Sequence, residues 1–332
     1  MRLHPALSRI FVFLLLSFSL LLAACGQTPP SSSTSTPAAA TPAPTAARDA
    51  YGTPITVPTT QPQRIVSLVP STSEELAALG LESHIVAVDY YTDYPASLTS
   101  KPKISDANAK YDVEKIIQLK PDLILSYGAE TKQYDSQLKS VGLNVVDLPL
   151  ANFSQSLQQI LLIGRLTSTQ DAASQLYNQL QQQIDQIKTT VAGTTVPKTM
   201  IELDDTTPGK PYVFGGGSFG DDMLQLANAT NIFHNDTSGQ GFPQVTDEAI
   251  ISANPQIIIL TDANYGGGVS AVYKRANWGG IDAVKNNRVY GVNSNLLSRP
   301  GPRLVQGLQC VAQIVHHDKF SGALPSYCSG NV

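Results

Sequence analysis

The sequence predicts an α/β fold of two similar lobes, each on a mostly parallel central sheet, joined by one long rigid helix. Three observations carry this. Apolar runs of strand length alternate with helical patterns along the body. One segment in each half repeats the other. Between the halves lies a helical pattern of about 24 residues that no Gly or Pro interrupts.

The strand-length runs are residues 64–69, 85–88, 123–125, 145–146, 200–201, 257–260 and 289–292. Helical patterns such as residues 73–79 and 113–119 lie between most of them. Parallel strands need such crossovers, so the alternation favours parallel pairing. The repeat places Glu114, Ile116, Ile117 and Pro121 before residues 123–125, and Glu248, Ile250, Ile251 and Pro255 before residues 257–260. The residue before Pro is disfavoured in helix, so each short helix should end there and a buried strand begin. In the joining helix, Leu176, Leu180, Ile184 and Ile187 fall at helical spacing, opposite a Gln-rich face. Ser168 with Asp171, or Thr167 with Gln170, is expected to cap its start. Its length is roughly 35 Å at 1.5 Å rise per residue. A single stiff helix permits only small opening between lobes. The expected limits are residues 51–166 for the first lobe, 167–192 for the helix and 193–332 for the second lobe.

The N-terminus reads in three parts. Arg2 and Arg9 are positive, residues 10–22 form an apolar run broken only by Ser17 and Ser19, and Leu22-Ala23-Ala24-Cys25-Gly26 follows. This describes a secretory signal over residues 1–25. The run is short for a membrane span, which takes roughly 20 apolar residues. The ending resembles the lipobox of bacterial lipoproteins, which implies acylation of Cys25 and a lipid anchor at the outer face of the cell membrane. An ordinary signal peptide with an incidental Cys is the alternative. Residues 28–47 contain only Thr, Pro, Ser and Ala. They cannot offset the entropy of ordering, so residues 26–50 are expected to be a disordered linker.

The net charge of -4, with no basic patch, argues against a nucleic-acid partner. With Cys25 as anchor, Cys310 and Cys328 remain in an oxidising compartment and are expected to bridge around His316 and His317. Such a bridge is worth about 3 kcal/mol in the chain-entropy model; two unpaired thiols are the alternative.

Four stretches carry a wider resemblance: Arg64-Ile-Val-Ser-Leu-Val-Pro-Ser-Thr-Ser-Glu-Glu-Leu-Ala-Ala-Leu-Gly80, Tyr91-Thr-Asp-Tyr-Pro95, residues 113–125, and Phe242-Pro-Gln-Val-Thr-Asp-Glu248. With them, the chain from Tyr51 to about Asp318 resembles the solute-binding proteins of bacterial ABC importers for vitamin B12, ferric siderophores and haem. The resemblance implies a ligand cleft between the lobes, a binding protein and not an enzyme, no cofactor, and a monomer. It implies an importer permease and its ATPase as partners. The Tyr-Thr-Asp-Tyr-Pro stretch is most similar to the vitamin B12 binders. On that likeness Tyr91, Tyr127 and Phe242 line the cleft, and Asn295 and Arg299 meet the ligand from the other lobe. Tyr127 and Phe242 stand where the family has Trp, Asn295 where it has Asp, and no Trp stands near Asn108. Ala227 replaces a family Cys, so Cys310 does not make that family's bridge. Glu114 and Glu248 match the family's docking residues for permease Arg side chains. On the residues alone they merely complement helix dipoles. The expected ligand is a cobalamin-type corrinoid, then a ferric siderophore, then haem. Aromatic faces bind such surfaces by burial and stacking, and Tyr90, Tyr94, Tyr212 and Phe214 are further candidates if they are not simply core.

Gly215-Gly-Gly-Ser-Phe-Gly220 satisfies both a dinucleotide fingerprint and a Gly-x-Ser-x-Gly elbow. A dinucleotide is not expected outside the cell, which argues against that reading. An esterase with Ser218 as nucleophile needs an acid and a His, such as Asp262 and His316. The plain alternative is a Gly-rich turn. His84, His234, His316 and His317 are scattered without metal-ligand spacing, so no metal site is expected. A haem ligand would have to come from Tyr91 or Tyr127. Trp278 is expected outside the cleft.

Overall fold

The computed structural model describes residues 47–128, 131–263 and 267–329. The signal, Cys25 and the linker up to residue 46 lie outside the described residues. The linker's last residues, 47–50, are seated on the body: Asp49 accepts from Thr53 N at 2.8 Å and pairs with Lys139 at 3.2 Å. An acid with both partners within reach fixes the chain that composition alone left free.

The first half holds β1 (Ile65–Ser67), α1 (Pro70–Ala78), β2 (Ile85–Val88), α2 (Val113–Gln118), β3 (Leu123–Tyr127), α3 (Lys132–Ser140) and β4 (Val145–Leu148). Its sheet has the order β2-β1-β3-β4, and every pairing is parallel. Ile65, Leu123, Leu125 and Val146 belong to one apolar cluster, and Val66, Ile124 and Val145 to another. Successive side chains point to opposite faces. Both faces are covered, which is why these strands read as continuous apolar runs.

Then come α4 (Phe153–Leu166) and α5 (Gln170–Val191). The second half holds β5 (Lys198–Asp204), β6 (Tyr212–Val213), α6 (Phe219–Leu226), β7 (Thr230–Asn231), α7 (Ser238–Gly241), α8 (Asp247–Ala253), β8 (Ile257–Leu260), α9 (Val269–Val272), α10 (Asp282–Lys285), β9 (Val289–Gly291), α11 (Ser294–Ser298), α12 (Leu304–Val315) and α13 (Ser326–Ser329). Its sheet runs β6-β5-β8-β9, with β7 beside β5; only β6 is antiparallel. A single cluster includes Leu125, Tyr127, Leu180, Ile201, Phe214 and Leu308, so the two halves share a core.

The repeat is structural as well as sequential. Asp112 caps α2 through Lys115 N and Thr246 caps α8 through Ala249 N. Ile116 and Ile250 are fully buried. The residues before Pro121 and Pro255 both turn left-handed, Lys120 at φ 46° and Asn254 at φ 48°. That turn ends each helix and feeds the strand.

The joining helix differs from expectation at its start. It begins at Gln170, and its N-cap Thr169 makes no side-chain cap bond. Thr167 Oγ1 instead donates to Ile163 O at 2.7 Å, finishing α4, and Ser168 takes a left-handed φ of 56°. So neither expected cap forms. The three-residue turn folds α4 back on α5, where a Cβ on Gly164 would lie 2.4 Å from Ala173 Cβ. α4 opens on a capping box between Asn152 and Gln155. α5 has 22 residues, about 33 Å, with Leu180, Ile184, Ile187 and Val191 buried and Gln182, Gln183 and Gln186 exposed. Cys310 and Cys328 are bonded, joining α12 to α13, as expected. Among the described residues, no helix is long and apolar enough to cross a membrane.

Candidate functional site

The C-terminal ends of β2 and β9 are brought together. Beyond β2 the chain folds on itself: Asp89 accepts from Tyr91 N at 2.7 Å and from the Thr92 hydroxyl, and Lys103 Nζ donates to Thr92 O at 2.6 Å. Burial raises the Asp89 carboxyl above its usual range. The loop ends at a cis peptide bond between Tyr94 and Pro95. It presents Tyr90, Tyr91 and Tyr94, which are 49%, 51% and 40% exposed. Tyr90 and Tyr91 meet edge to face at 5.1 Å, and Tyr91 donates to Ala107 O at 2.5 Å.

Beyond β9, Asn293 caps α11, which sets Asn295 and Arg299 against that loop. Arg299 Nη1 donates to Asp93 Oδ1 at 2.5 Å and Glu74 Oε1 at 3.3 Å; Nη2 donates to Asp93 Oδ2 at 3.3 Å and Tyr91 O at 3.2 Å. Asn295 Nδ2 donates to Asp93 Oδ2 at 3.0 Å. Behind them Arg303 grips Glu74 bidentately at 2.8 and 2.6 Å, and its guanidinium carbon lies 4.1 Å from the Tyr94 ring centroid. Glu75 is buried beside this pair, and its Oε1 finds no hydrogen-bond partner. Burial first, then the Glu74 charge, pushes its carboxyl well above the usual range.

The structure therefore brings Tyr91, Asn295 and Arg299 together. Tyr127 ends β3 but is 7% exposed, and its hydroxyl accepts from Ala151 N at 3.1 Å. Phe242 is half-buried against Phe214 and Phe219, at 5.7 and 6.0 Å between ring centroids. Phe214 is core. Tyr212 is 42% exposed. Sequence reasoning missed Asp93 and Glu74. Asp93 sat inside a quoted motif, but its partners lie about 200 positions away.

A second polar centre closes the ends of β5 and β8. Carboxylate oxygens of Glu202, Asp205 and Asp262 lie within 4.8 Å of one another. Arg275 donates to Glu202 at 2.7 and 2.6 Å and to Asp205 at 2.6 Å, and stacks 4.5 Å from the ring of Trp278. Trp278 is fully buried in an apolar cluster with Met200, Ile258 and Leu260 of the second sheet. Arg275 pairs with two of the three acids, and Asp262 accepts from Asp205 N at 3.1 Å. Burial, then Glu202 and Asp205, pushes the Asp262 carboxyl up to about 7. A carboxyl with a raised folded pKa binds more protons folded than unfolded, so stability falls as pH rises from about 4 through 7. Asp262→Asn, which can still accept from Asp205 N, is expected to stabilise at pH 8 by on the order of 1 kcal/mol and to gain little at pH 4. Urea midpoints at the two pH values test this; an equal shift at both would refute it.

Glu114 and Glu248 are exposed in the first turns of α2 and α8. Glu248's own backbone N–H, then the Thr246 hydroxyl, hold its carboxyl below the usual range.

The esterase residues do not share partners. Ser218 is buried; its Oγ donates to Gly215 O at 2.7 Å and accepts from Asp221 N at 3.2 Å, capping α6. His316 Nε2 faces Ala227 O at 2.9 Å, and Asp262 accepts from Asp205 N. The Gly run answers to packing: a Cβ on Gly216 would lie 1.8 Å from His234 O, and one on Gly220 2.2 Å from the Phe214 ring.

Comparison with known proteins adds to this. The family described as periplasmic binding protein matches residues 65–296. An uncharacterized ABC transporter substrate-binding lipoprotein of Bacillus subtilis is 34% identical over 78% of this chain and 82% of its own length. The vitamin B12-binding protein of Vibrio cholerae is 25% identical over 75% of this chain and 87% of its own. The crystal structure of a possible iron-binding (periplasmic solute-binding) protein from Staphylococcus epidermidis aligns with a TM-score of 0.68 and 30% identity, covering 77% of this chain and 100% of that one.

Proposed function

Because the chain belongs to the periplasmic binding protein family, as a solute-binding protein of an ABC importer, we propose that it captures a cobalamin-type corrinoid for an importer permease and its ATPase. On this reading Cys25 carries a lipid that anchors the protein at the outer face of the cell membrane. The ligand lies in a cleft between two lobes, with Tyr91, Tyr127 and Phe242 on its walls. The observation that carries the reading is the exposed Tyr90–Tyr91–Tyr94 loop set against Asn295 and Arg299 at strand C-termini. Open α/β sheets bind ligands at that end. A corrinoid offers flat apolar faces for the rings and an amide-rich rim for Asn295 and Arg299. The vitamin B12-binding relative supports the same class.

A ferric siderophore is the second reading, favoured by the relative described as possibly iron-binding. Haem is the third; Tyr91 would then have to give up its bond to Ala107 O to serve as an axial ligand. Isothermal titration of the full chain against cyanocobalamin, a ferric hydroxamate siderophore and haem separates the three. We expect cyanocobalamin to bind at about micromolar Kd or tighter. No heat with cyanocobalamin beside tight binding of another ligand would retire the corrinoid.

A further inference from the structure

We propose that Asp93 is a positioning residue for ligand capture, reaching from the first half to hold Asn295 and Arg299 of the second in their ligand-ready orientation. This rests on the reading of Asn295 and Arg299 as ligand contacts. Asp93 is the residue to which both are tied: Asn295 at 3.0 Å, Arg299 at 2.5 and 3.3 Å. The other acid near Arg299, Glu74, lies 3.3 Å away and is already taken bidentately by Arg303. The arrangement leaves a defined face for a ligand. All the hydrogen bonds of Arg299 among the described residues use its Nη atoms, so its Nε edge is unspent. Asn295 gives its Nδ2 to Asp93, which fixes Oδ1 as an acceptor on the other side. A ligand amide needs that pairing, one donor and one acceptor. The Arg299 side chain is 12% exposed and that of Asp93 36%, so the guanidinium is held on its protein side while the carboxylate stays partly open to solvent. Pre-setting two flexible side chains removes ordering cost at the moment of binding.

The test is a double-mutant cycle on the full chain, read by titration with cyanocobalamin. Asp93→Ala is expected to weaken binding about tenfold in the unaltered background. In an Asn295→Ala, Arg299→Ala background the same substitution should cost less than about twofold. Equal losses in both backgrounds would show that Asp93 does not act through them and would overturn the proposal. If the unaltered chain binds no cyanocobalamin, the ligand reading fails, and hydrogen exchange of the ligand-free chain decides the positioning claim. Exchange across residues 293–299 should then rise several-fold in Asp93→Ala; unchanged exchange there would overturn it.

Discussion

Replacing Glu114 and Glu248 together by Lys is expected to reduce uptake through the importer to background while leaving ligand affinity within about twofold. The two carboxylates occupy equivalent places. Each lies in the first turn of a short helix whose start is fixed by a side-chain cap, Asp112 or Thr246. Each is followed two residues on by a fully buried Ile, which ties the turn to its own sheet. Two exposed charges thus stand on firm footing, one per half. The capping oxygens are unaltered by the substitutions, and exposed charges contribute little to folding, so both helices should persist. What changes is the sign of charge offered to the permease. Like charges across an interface cost far more than a lost favourable pair, so reversal should exceed the effect of Ala at both sites. Uptake of labelled cyanocobalamin into proteoliposomes carrying the importer, beside titration in solution, separates docking from binding. Normal uptake by the double variant would sink the docking role, and a matching loss of affinity would show that the Glu side chains serve the ligand site.

The strands were legible because both faces of each sheet are covered, which writes Ile257–Leu260 as an unbroken apolar run. The repeat was legible because Glu, Ile and Pro each answer to a local demand: helix start, sheet contact and helix end. The turn between α4 and α5 was not. Thr167 and Ser168 read as helix caps, whereas the turn rests on the left-handed Ser168 and on the close approach of Gly164 to Ala173. β7 escaped because Thr230 and Asn231 carry no apolar pattern. In the site, Tyr91 was readable from its motif, whereas the burial of Tyr127 to 7% exposure was not. The pairing of Asp93 with Arg299 spans 206 positions and exists only once both sheets are packed. The cluster of Glu202, Asp205 and Asp262 was hidden for the same reason: Asp262 comes from the end of β8, the other two from the end of β5, and Arg275, which holds those two, from a later segment.

The largest loss of stability is expected from Arg303→Met, about 3–5 kcal/mol in urea denaturation at pH 7. Arg303 and Glu74 are 6% and 3% exposed, and their two-pronged contact is the tightest link between α1 and the second half. Removing the guanidinium leaves the Glu74 carboxylate buried beside Glu75, with only the 3.3 Å contact from Arg299 in compensation. It also removes the cation from the Tyr94 ring. Glu75 offers no replacement cation, and its own buried Oε1 has no hydrogen-bond partner. Replacing both partners, Glu74→Met with Arg303→Met, should recover at least half of the loss, because the cost lies in the orphaned charge and not in the missing attraction. A loss below about 1 kcal/mol in the single variant would mean that Arg299 alone neutralises Glu74. The shape of the transition carries a second result. Glu74 lies on α1 and Arg303 directly precedes α12, so the pair couples the two halves, yet Leu125, Leu180, Ile201 and Leu308 also share one core. A single shifted transition in Arg303→Met would assign the coupling to that core. Two separated transitions would assign it to the ion pair.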